Sequence, residues 1–144
     1  MEFAGSLEDR QLIRERIDTY ADAAFRKDQE AWLANWSEEC VWKVFGAEVR
    51  GKEAMRAQWA QIWTMFEHMA FFTQVGSIEV DGDRAKVRSY CREILRLKDG
   101  GIRKVVGAYD DEMVRENGAW LFARRDYQVL MNESSSDGPS AQSS

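Results

Sequence analysis

The residues that could carry chemistry in this chain include a lysine that the sequence places among aromatic neighbours. Lys43 lies in the β-rich run Val41-Trp-Lys-Val-Phe45, where strand alternation gives it a face shared with Val41 and Phe45. A lysine enclosed by aromatic side chains would be desolvated, which favours the neutral amine. Such a group could act as a general base or as an electrostatic clamp for a phenolate. The alternative is that Trp42 and Val44 face the core and that Lys43 points outwards.

A second candidate, Glu93, is the one acid in a row of alternate residues that is otherwise small or apolar. The row comprises Ala85, Val87, Ser89, Cys91, Leu95 and Leu97. On a pocket face Glu93 would partner Lys43 or a bound hydroxyl, whereas on the outer face it would pair with Arg92 or Arg103. Tyr20 lies on the apolar face of the first predicted helix, where its hydroxyl would donate to a substrate oxygen or satisfy a core polar group.

The composition argues against several other kinds of site. The 144 residues include six tryptophans, seven phenylalanines and four tyrosines but a single histidine, His68. Zinc sites and Ser/His triads depend on histidine, and no glycine-rich phosphate loop follows a predicted strand. We therefore predict neither a metal nor an organic cofactor.

Charge and hydropathy narrow the possible partners and the location. The net charge of −5 gives nucleic-acid binding no electrostatic support, and no apolar run approaches the roughly 20 residues of a membrane helix. Cys40 and Cys91 have no CxxC partner and are read as small buried residues in a reducing compartment. We expect a cytoplasmic protein with no nucleic-acid or membrane partner.

Three helices must position these residues in the first half of the chain. Ser6-Leu-Glu-Asp9 is a capping box that opens the first helix, Asp28 is a cap for a short second helix, and a third runs from about residue 52 to 66. Their buried faces are marked by apolar residues at helical spacing. These are Ile13, Ile17, Tyr20, Ala21 and Ala24, then Trp32, Leu33 and Trp36, then Met55, Trp59, Ile62, Trp63 and Phe66.

The second half of the chain predicts a meander of strands. Asp81-Gly82, Asp99-Gly100 and Asn117-Gly118 are hairpin signals that separate apolar-alternating runs at about 71–80, 84–97, 102–115 and 119–131. With a strand at 40–45, the pattern predicts an α+β domain over residues 6–132. We expect a cone-shaped barrel of curved antiparallel sheet, packed on three N-terminal helices around an internal pocket. Residues 1–5 are predicted to be frayed and residues 133–144 to form a disordered tail.

In this order of elements the sequence resembles the nuclear transport factor 2-like superfamily. It is most similar to the SnoaL-like branch, which also contains scytalone dehydratase and ketosteroid isomerase. The resemblance covers about residues 7–130 and rests on several short motifs. They are Ile17-x-x-Tyr20 followed by Arg26-Lys27-Asp28, Gly51-Lys-Glu-Ala-Met55, Ile78-Glu-Val-Asp-Gly-Asp-Arg-Ala85, Gly107-Ala-Tyr-Asp-Asp111, and Asn117-Gly-Ala-Trp120 leading to Ala123-Arg-Arg-Asp-Tyr127.

The resemblance also implies where catalytic groups would lie. Relatives that eliminate water carry an Asp–His pair inside the cone. In this sequence Phe25 occupies the position of that aspartate, and Phe71 or Phe72 occupies the position of that histidine. Lys43 falls where related dehydratases present a pocket tyrosine, and Tyr109 falls where relatives place a polar pocket group. If the protein is an enzyme, it is therefore expected to work without the pair of its relatives.

The expected ligand contacts are mostly aromatic and would suit a flat aromatic or polycyclic ligand. They are Trp42, Phe45, Phe25, Phe71, Phe72 and Trp59. Arg124 alternates with Trp120 and Phe122, so we expect it to reach the pocket while Arg125 points outwards. His68 lies early for the histidine of the pair and is placed either at the pocket mouth or on the surface.

The leading hypothesis is a cofactor-independent lyase, of the dehydratase or retro-aldol type, or an isomerase acting on a small aromatic substrate. Lys43 or Glu93 would remove a proton, and Tyr20 or Tyr109 would protonate a departing hydroxyl. The alternatives are a non-catalytic binding protein for a hydrophobic small molecule and, ranked last, a small structural subunit of an oxygenase. Because relatives dimerise through the outer face of the sheet, the resemblance implies a homodimer or a higher homo-oligomer.

Overall fold

The three helices, one strand before the third helix and the four long strands after it follow one another in the predicted order, and two short strands, at residues 3–4 and 47–50, were not predicted. The computed structural model describes residues 3–135. Its helices are α1 (Leu7–Arg26), α2 (Gln29–Leu33) and α3 (Lys52–Trp63). Its strands are β1 (Phe3–Ala4), β2 (Trp36–Val44), β3 (Ala47–Arg50), β4 (Phe66–Asp81), β5 (Arg84–Leu97), β6 (Ile102–Glu116) and β7 (Ala119–Ser135).

The helix starts are fixed by the caps that the sequence predicts. The Ser6 hydroxyl accepts a hydrogen bond from the Asp9 backbone N–H at 3.0 Å, and the Asp28 carboxylate accepts one from Ala31 at 3.0 Å. Helix α1 ends at Lys27, whose φ of 55° is left-handed and stops the helix before the next cap. The short turn between α1 and α2 is therefore set locally, and it directs Trp32 into the core.

The strands form one sheet in the order β1-β4-β5-β6-β7-β2-β3. Strands β4 to β7 are the antiparallel meander that the Asx-Gly pairs predict. The sheet as a whole is mixed, because β2 runs parallel to β7 and β1 runs parallel to β4. Its concave face wraps α1 and encloses an aromatic core in which Trp32, Trp36 and Phe122 are almost fully buried. The α+β architecture with an internal pocket is confirmed.

Both predicted domain boundaries are too narrow. Phe3 and Ala4 pair with Ile78 and Glu79, so these two residues are not frayed. At the other end Glu133–Ser135 pair with Ile102–Lys104 and continue β7, because the partner strand supplies free backbone groups there. The remainder of the predicted tail, residues 136–144, lies outside the described residues, as do residues 1 and 2.

Two bulges in β7 decide which of its side chains enter the cone. Glu112 pairs with Arg124 and Met113 with Phe122, which leaves Ala123 as an extra residue; in the same way Leu130 is extra between Val129 and Met131. Each extra residue reverses the inward–outward alternation beyond it. No helix among residues 3–135 combines the length and the apolar character that a membrane span needs.

Candidate active site

A cavity of about 300 Å³ lies between the concave face of the sheet and the three helices. Most of its wall is aromatic or aliphatic, with indole rings from Trp42, Trp59 and Trp63 on one side. The polar side chains on the wall are fewer and come mainly from the sheet. They are Tyr20, Glu93, Arg103, Tyr109, Tyr127 and Asn132. An apolar cavity with a few convergent polar groups is the usual form of a small-molecule site.

Glu93 provides the acid group of this wall. Strand β5 keeps strict alternation from Ala85 to Leu95, which turns Glu93 towards the cavity. Its Oε2 accepts a hydrogen bond from Tyr127 Oη at 2.6 Å and a weaker one from Cys91 Sγ at 3.6 Å. Its partners are therefore Tyr127 and Cys91 rather than Arg92 or Arg103.

Burial changes the proton affinity of the groups around Glu93. Burial raises the pKa of the Glu93 carboxyl above its ordinary value, although the hydrogen bonds from Tyr127 and Cys91 oppose the rise. Burial and the neighbouring Glu93 charge raise the pKa of Tyr127, which keeps its hydroxyl as a donor. The same two causes raise the pKa of the Cys91 thiol to about 12. The Glu93 carboxyl thus holds its proton more tightly than an exposed glutamate does, while Tyr127 and Cys91 stay protonated.

A buried ion pair contacts two tyrosines of the cavity wall. Arg125 Nε and Nη2 donate to the two carboxylate oxygens of Asp111 at 2.8 and 3.0 Å. The Arg125 guanidinium carbon lies 3.7 Å from the ring centroid of Tyr109, 4.1 Å from that of Phe122 and 4.4 Å from that of Tyr20. Burial acts to lower the pKa of Arg125, but Asp111 and the two tyrosines outweigh it and raise that pKa. The pair fixes Tyr20 and Tyr109 on the cavity wall.

Of the residues that the sequence proposes for the site, seven line this cavity. They are Tyr20, Tyr109, Glu93, Trp42, Phe45, Phe71 and Trp59. Burial raises the pKa of Tyr20 and of Tyr109, so both phenols remain protonated donors. The other five proposed residues lie elsewhere, each for an identifiable reason.

Lys43 is exposed on the outer face of β2, so the prediction that it lines the cavity is wrong. Trp42 and Val44 take the inward positions, with exposed fractions of 6% and 2%. The Trp42 ring packs 5.5 Å from Trp32 and 6.1 Å from Trp36. Burying the indole on this face outweighs any pocket position for the lysine, because a large aromatic ring gains more from burial.

Phe25 and Phe72 also lie outside the cavity. Their rings pack edge to face with centroids 5.4 Å apart, and the residues are 45% and 51% exposed. A register shift between Phe66 and His68 sets the alternation of β4, so Phe71 turns inwards while His68 is exposed. The prediction of a pocket role is therefore wrong for Phe25, Phe72 and His68.

Arg124 and Arg125 exchange the places that simple alternation gives them. Arg124 lies on the outer face, where it forms ion pairs with Glu48 at 3.2 Å and Asp126 at 2.8 Å. The bulge at Ala123 reverses the alternation after Phe122, and this turns Arg125 inwards. The predicted orientations of both arginines are wrong for that single reason.

Sequence reasoning missed several groups that the structure brings to the cone. Asp111 alternates with Tyr109 along β6, so strand alternation from Tyr109, which the family resemblance had placed in the pocket, would have put Asp111 on the same face. Tyr127 and Asn132 lie beyond the first and second bulges of β7, and no local pattern marks those bulges. Among residues 3–135 there is no group of three or more His, Cys, Asp or Glu side chains that could hold a metal ion.

Comparison with known proteins agrees with this fold. The family model described as SnoaL-like domain matches residues 5–126, and no curated protein matches the chain. A candidate scytalone dehydratase from Novosphingobium aromaticivorans is 24% identical with a TM-score of 0.82, and the alignment covers 88% of this chain and 87% of that one. A candidate aromatic ring hydroxylase from the same species is 24% identical with a TM-score of 0.84, over 91% and 96% of the two chains. The hexachlorocyclohexane dehydrochlorinase LinA-type3 from Novosphingobium barchaimii LL02 is 15% identical with a TM-score of 0.81, over 90% and 91%. At these identities the likeness establishes the fold.

Proposed function

The chain belongs to the SnoaL-like family, and from that premise we propose that it is a lyase or isomerase that acts on a small aromatic molecule by side-chain acid–base chemistry. The observation that carries the proposal is the Glu93–Tyr127 pair, a buried carboxyl with a raised pKa on the wall of an aromatic cavity. Carboxyls of this kind are favoured as catalytic bases because their pKa approaches the working pH.

The shape of the cavity supports a small planar ligand. Its volume of about 300 Å³ is at the lower end of the range of small-molecule pockets, which is about 300–1,000 Å³. Trp42, Trp59 and Phe71 offer ring faces and edges for stacking. A ligand of one or two rings fits this space and would displace water from around Glu93, which strengthens its electrostatic interactions.

The proposed chemistry starts with proton removal by Glu93. The carboxylate takes a proton from an acidic C–H of the substrate, and the electron pair of that bond moves into a new double bond or an enolate. In an elimination, the leaving hydroxyl departs with its bonding pair and takes a proton from Tyr20 or Tyr109, so water is released; the proton on Glu93 then passes back to the phenolate, directly or through the released water, and both groups are restored. In an isomerisation, the Glu93 carboxyl returns the same proton to another carbon. Tyr127 holds the carboxyl in place by its hydrogen bond.

The structural neighbours favour elimination as the reaction class. The neighbours described above include a candidate dehydratase and a dehydrochlorinase, and both names denote the removal of a small molecule across a carbon–carbon bond. Both share this fold at TM-scores above 0.8. A cavity with one tuned carboxyl and two phenol donors supplies the acid and the base that such a reaction needs.

The test is the substitution Glu93→Gln, compared with Glu112→Gln on the outer face of β6. Aromatic β-hydroxy ketones and hydroxylated bicyclic ketones would be screened for turnover by ultraviolet absorbance, and binding would be measured by isothermal titration calorimetry. Loss of the base should lower kcat by about 10²- to 10⁴-fold and leave Kd within several-fold, since the amide keeps the shape of the carboxyl. Full kcat/KM in Glu93→Gln, or an equal loss in Glu112→Gln, would contradict the assigned role.

A second candidate function is ligand binding without catalysis. It is favoured by Phe71, which lies inside the cavity at the place that the family resemblance gives to a histidine. In that case aromatic ligands would bind to wild type and to Glu93→Gln with equal affinity, and no member of the substrate panel would be turned over. Assembly into a homodimer or a higher homo-oligomer also stays a prediction, which light scattering at micromolar concentration would test.

A further inference from the structure

The backbone of Gly107 lies directly under the ring of Tyr127. A Cβ atom built at Gly107 would stand 2.3 Å from Tyr127 Cε1, 2.7 Å from its Cζ and 2.7 Å from its Oη. These separations are far below van der Waals contact, so a side chain at position 107 and the present Tyr127 ring exclude each other. Gly107 is not among the described glycines with a positive φ, so its backbone does not require glycine. What the position requires is the absence of a side chain.

The strand register shows what this space allows. Tyr127 on β7 pairs with Tyr109, whereas Gly107 pairs with Val129 on one side and with Cys91 on the other. The Tyr127 ring therefore leans back along β6, crosses Gly107 and reaches β5, where Oη meets Glu93 at 2.6 Å. The two side chains together bridge two interstrand spacings of about 4.8 Å each. That path is open because the middle strand carries no side chain at the crossing.

The ring of Tyr127 is held by contacts on two sides. It packs against Tyr109 with ring centroids 4.8 Å apart, and Tyr109 is itself held against Arg125 at 3.7 Å. On its other side the hydroxyl is tied to Glu93. An added methyl group at position 107 would have to move a rigid ring rather than the end of a flexible chain.

We propose that Gly107 is a positioning residue of the site. Because Gly107 has no side chain, the Tyr127 ring can cross β6 at this position, and its hydroxyl is held against Glu93 and fixes the orientation of that carboxyl. The catalytic meaning of this inference rests on the proposed function, whereas the placement of Tyr127 does not. The hydrogen bond from Tyr127 lowers the pKa of Glu93 against the effect of burial. Displacing Tyr127 must therefore raise the pKa of Glu93 further.

The experiment follows the Glu93 carboxyl directly and needs no substrate. Protein labelled with ¹³C at the glutamate carboxyl carbons would be titrated by NMR, with Glu93 assigned by the signal lost in Glu93→Gln. Gly107→Ala should shift the Glu93 titration midpoint upwards, in the same direction as Tyr127→Phe. The double variant Gly107→Ala/Tyr127→Phe should shift it no further than Tyr127→Phe does, since both changes remove one hydrogen bond.

The matched control is Gly76→Ala on β4. A Cβ atom there would stand 3.1 Å from the ring of Tyr90, which is partly exposed and lies outside the cavity. The control therefore adds the same methyl group against a tyrosine of the same sheet, and it should leave the Glu93 midpoint unchanged. An unchanged midpoint in Gly107→Ala, together with a shifted one in Tyr127→Phe, would overturn the proposal.

Folding of Gly107→Ala is checked in a second background. In Tyr127→Leu the shorter side chain leaves room at the crossing, so the added methyl should lower Tm less than it does beside Tyr127. Equal losses of Tm in the two backgrounds would show that Tyr127 is not what the methyl displaces, and would overturn the proposal.

Turnover separates this inference from the proposed function. If a substrate is found, misplacement of the acid–base pair should lower kcat of Gly107→Ala by about 10²-fold with little change in KM. A shifted Glu93 midpoint combined with full turnover in Glu93→Gln would refute the proposed function and leave the positioning role intact. A normal Glu93 midpoint in Gly107→Ala, together with an inactive Glu93→Gln, would refute the positioning role of Gly107 and leave the proposed function intact.

Discussion

The buried pair of Arg125 and Asp111 makes the substitution Asp111→Asn a sharp test of what holds the cone together. Asparagine keeps the shape of the side chain but removes the charge that compensates the guanidinium, which is 1% exposed. Breaking a buried ion pair from one side costs about 3–5 kcal/mol of unfolding free energy. In the variant the rings of Tyr20, Tyr109 and Phe122 still stabilise the unpaired guanidinium by cation–π contacts. We therefore expect a loss near the lower end of this range, about 3 kcal/mol.

The assay is urea unfolding followed by far-ultraviolet circular dichroism, which suits a single domain of this size. A loss of 3 kcal/mol corresponds to a fall in Tm of roughly 10 °C. The control is Asp126→Asn, which breaks a partly exposed ion pair with Arg124 on the outer face and should cost little because water screens the charge.

A double variant distinguishes the loss of a charge partner from the loss of packing. In Asp111→Leu/Arg125→Met both charges of the pair are removed and neither is left without its partner, so the stability should return to within about 1–2 kcal/mol of wild type. The reasoning would be refuted by a cost below about 1 kcal/mol for Asp111→Asn, or by a double variant that is as unstable as the single one.

Two further outcomes are expected. Lys43→Ala should leave stability within about 0.5 kcal/mol of wild type, and turnover unchanged, because Lys43 is exposed on the outer face; loss of turnover on the identified substrate would contradict the placement of β2. The raised pKa of Glu93 means that the folded state binds this proton more tightly than the unfolded chain. The stability that the proton contributes is therefore complete below the unfolded pKa of about 4.3 and is lost as pH rises. The Tm of Glu93→Gln relative to wild type should accordingly rise between pH 4 and pH 8, and a constant difference would count against a raised pKa.

The order of the helices and of the long strands could be predicted because short stretches of sequence determine where these elements begin and end. The helix caps at Ser6 and Asp28 satisfy backbone groups within three residues, and the Asx-Gly pairs form turns that need no distant partner. The parallel pairing of β2 with β7 joins distant segments, and no local pattern specifies it. The helices and the three hairpins of the meander were therefore predictable, whereas the β2–β3 hairpin and the mixed character of the sheet were not.

The direction of side chains was predictable only on strands without irregularities. On β5 the alternation is unbroken, and the expectation that Glu93 shares the apolar face agrees with the structure. On β7 one extra residue at Ala123 exchanges Arg124 and Arg125, and the sequence carries no glycine or proline to mark it. On β2 the alternation was compatible with Lys43 facing inwards and equally with Trp42 facing inwards. The packing of Trp42 against Trp32 selects the second orientation.

The clustered indole rings allow ligand binding to be followed by the intrinsic fluorescence of the protein. Trp32 lies 4.7 Å from Trp59, 5.5 Å from Trp42 and 5.8 Å from Trp36, and Trp59 lies 5.6 Å from Trp63. Indole rings this close exchange excitation energy, so light absorbed by one of the five rings can be emitted by another. Four of them (Trp32, Trp42, Trp59 and Trp63) line the cavity, so a bound aromatic molecule would change their fluorescence without any added label.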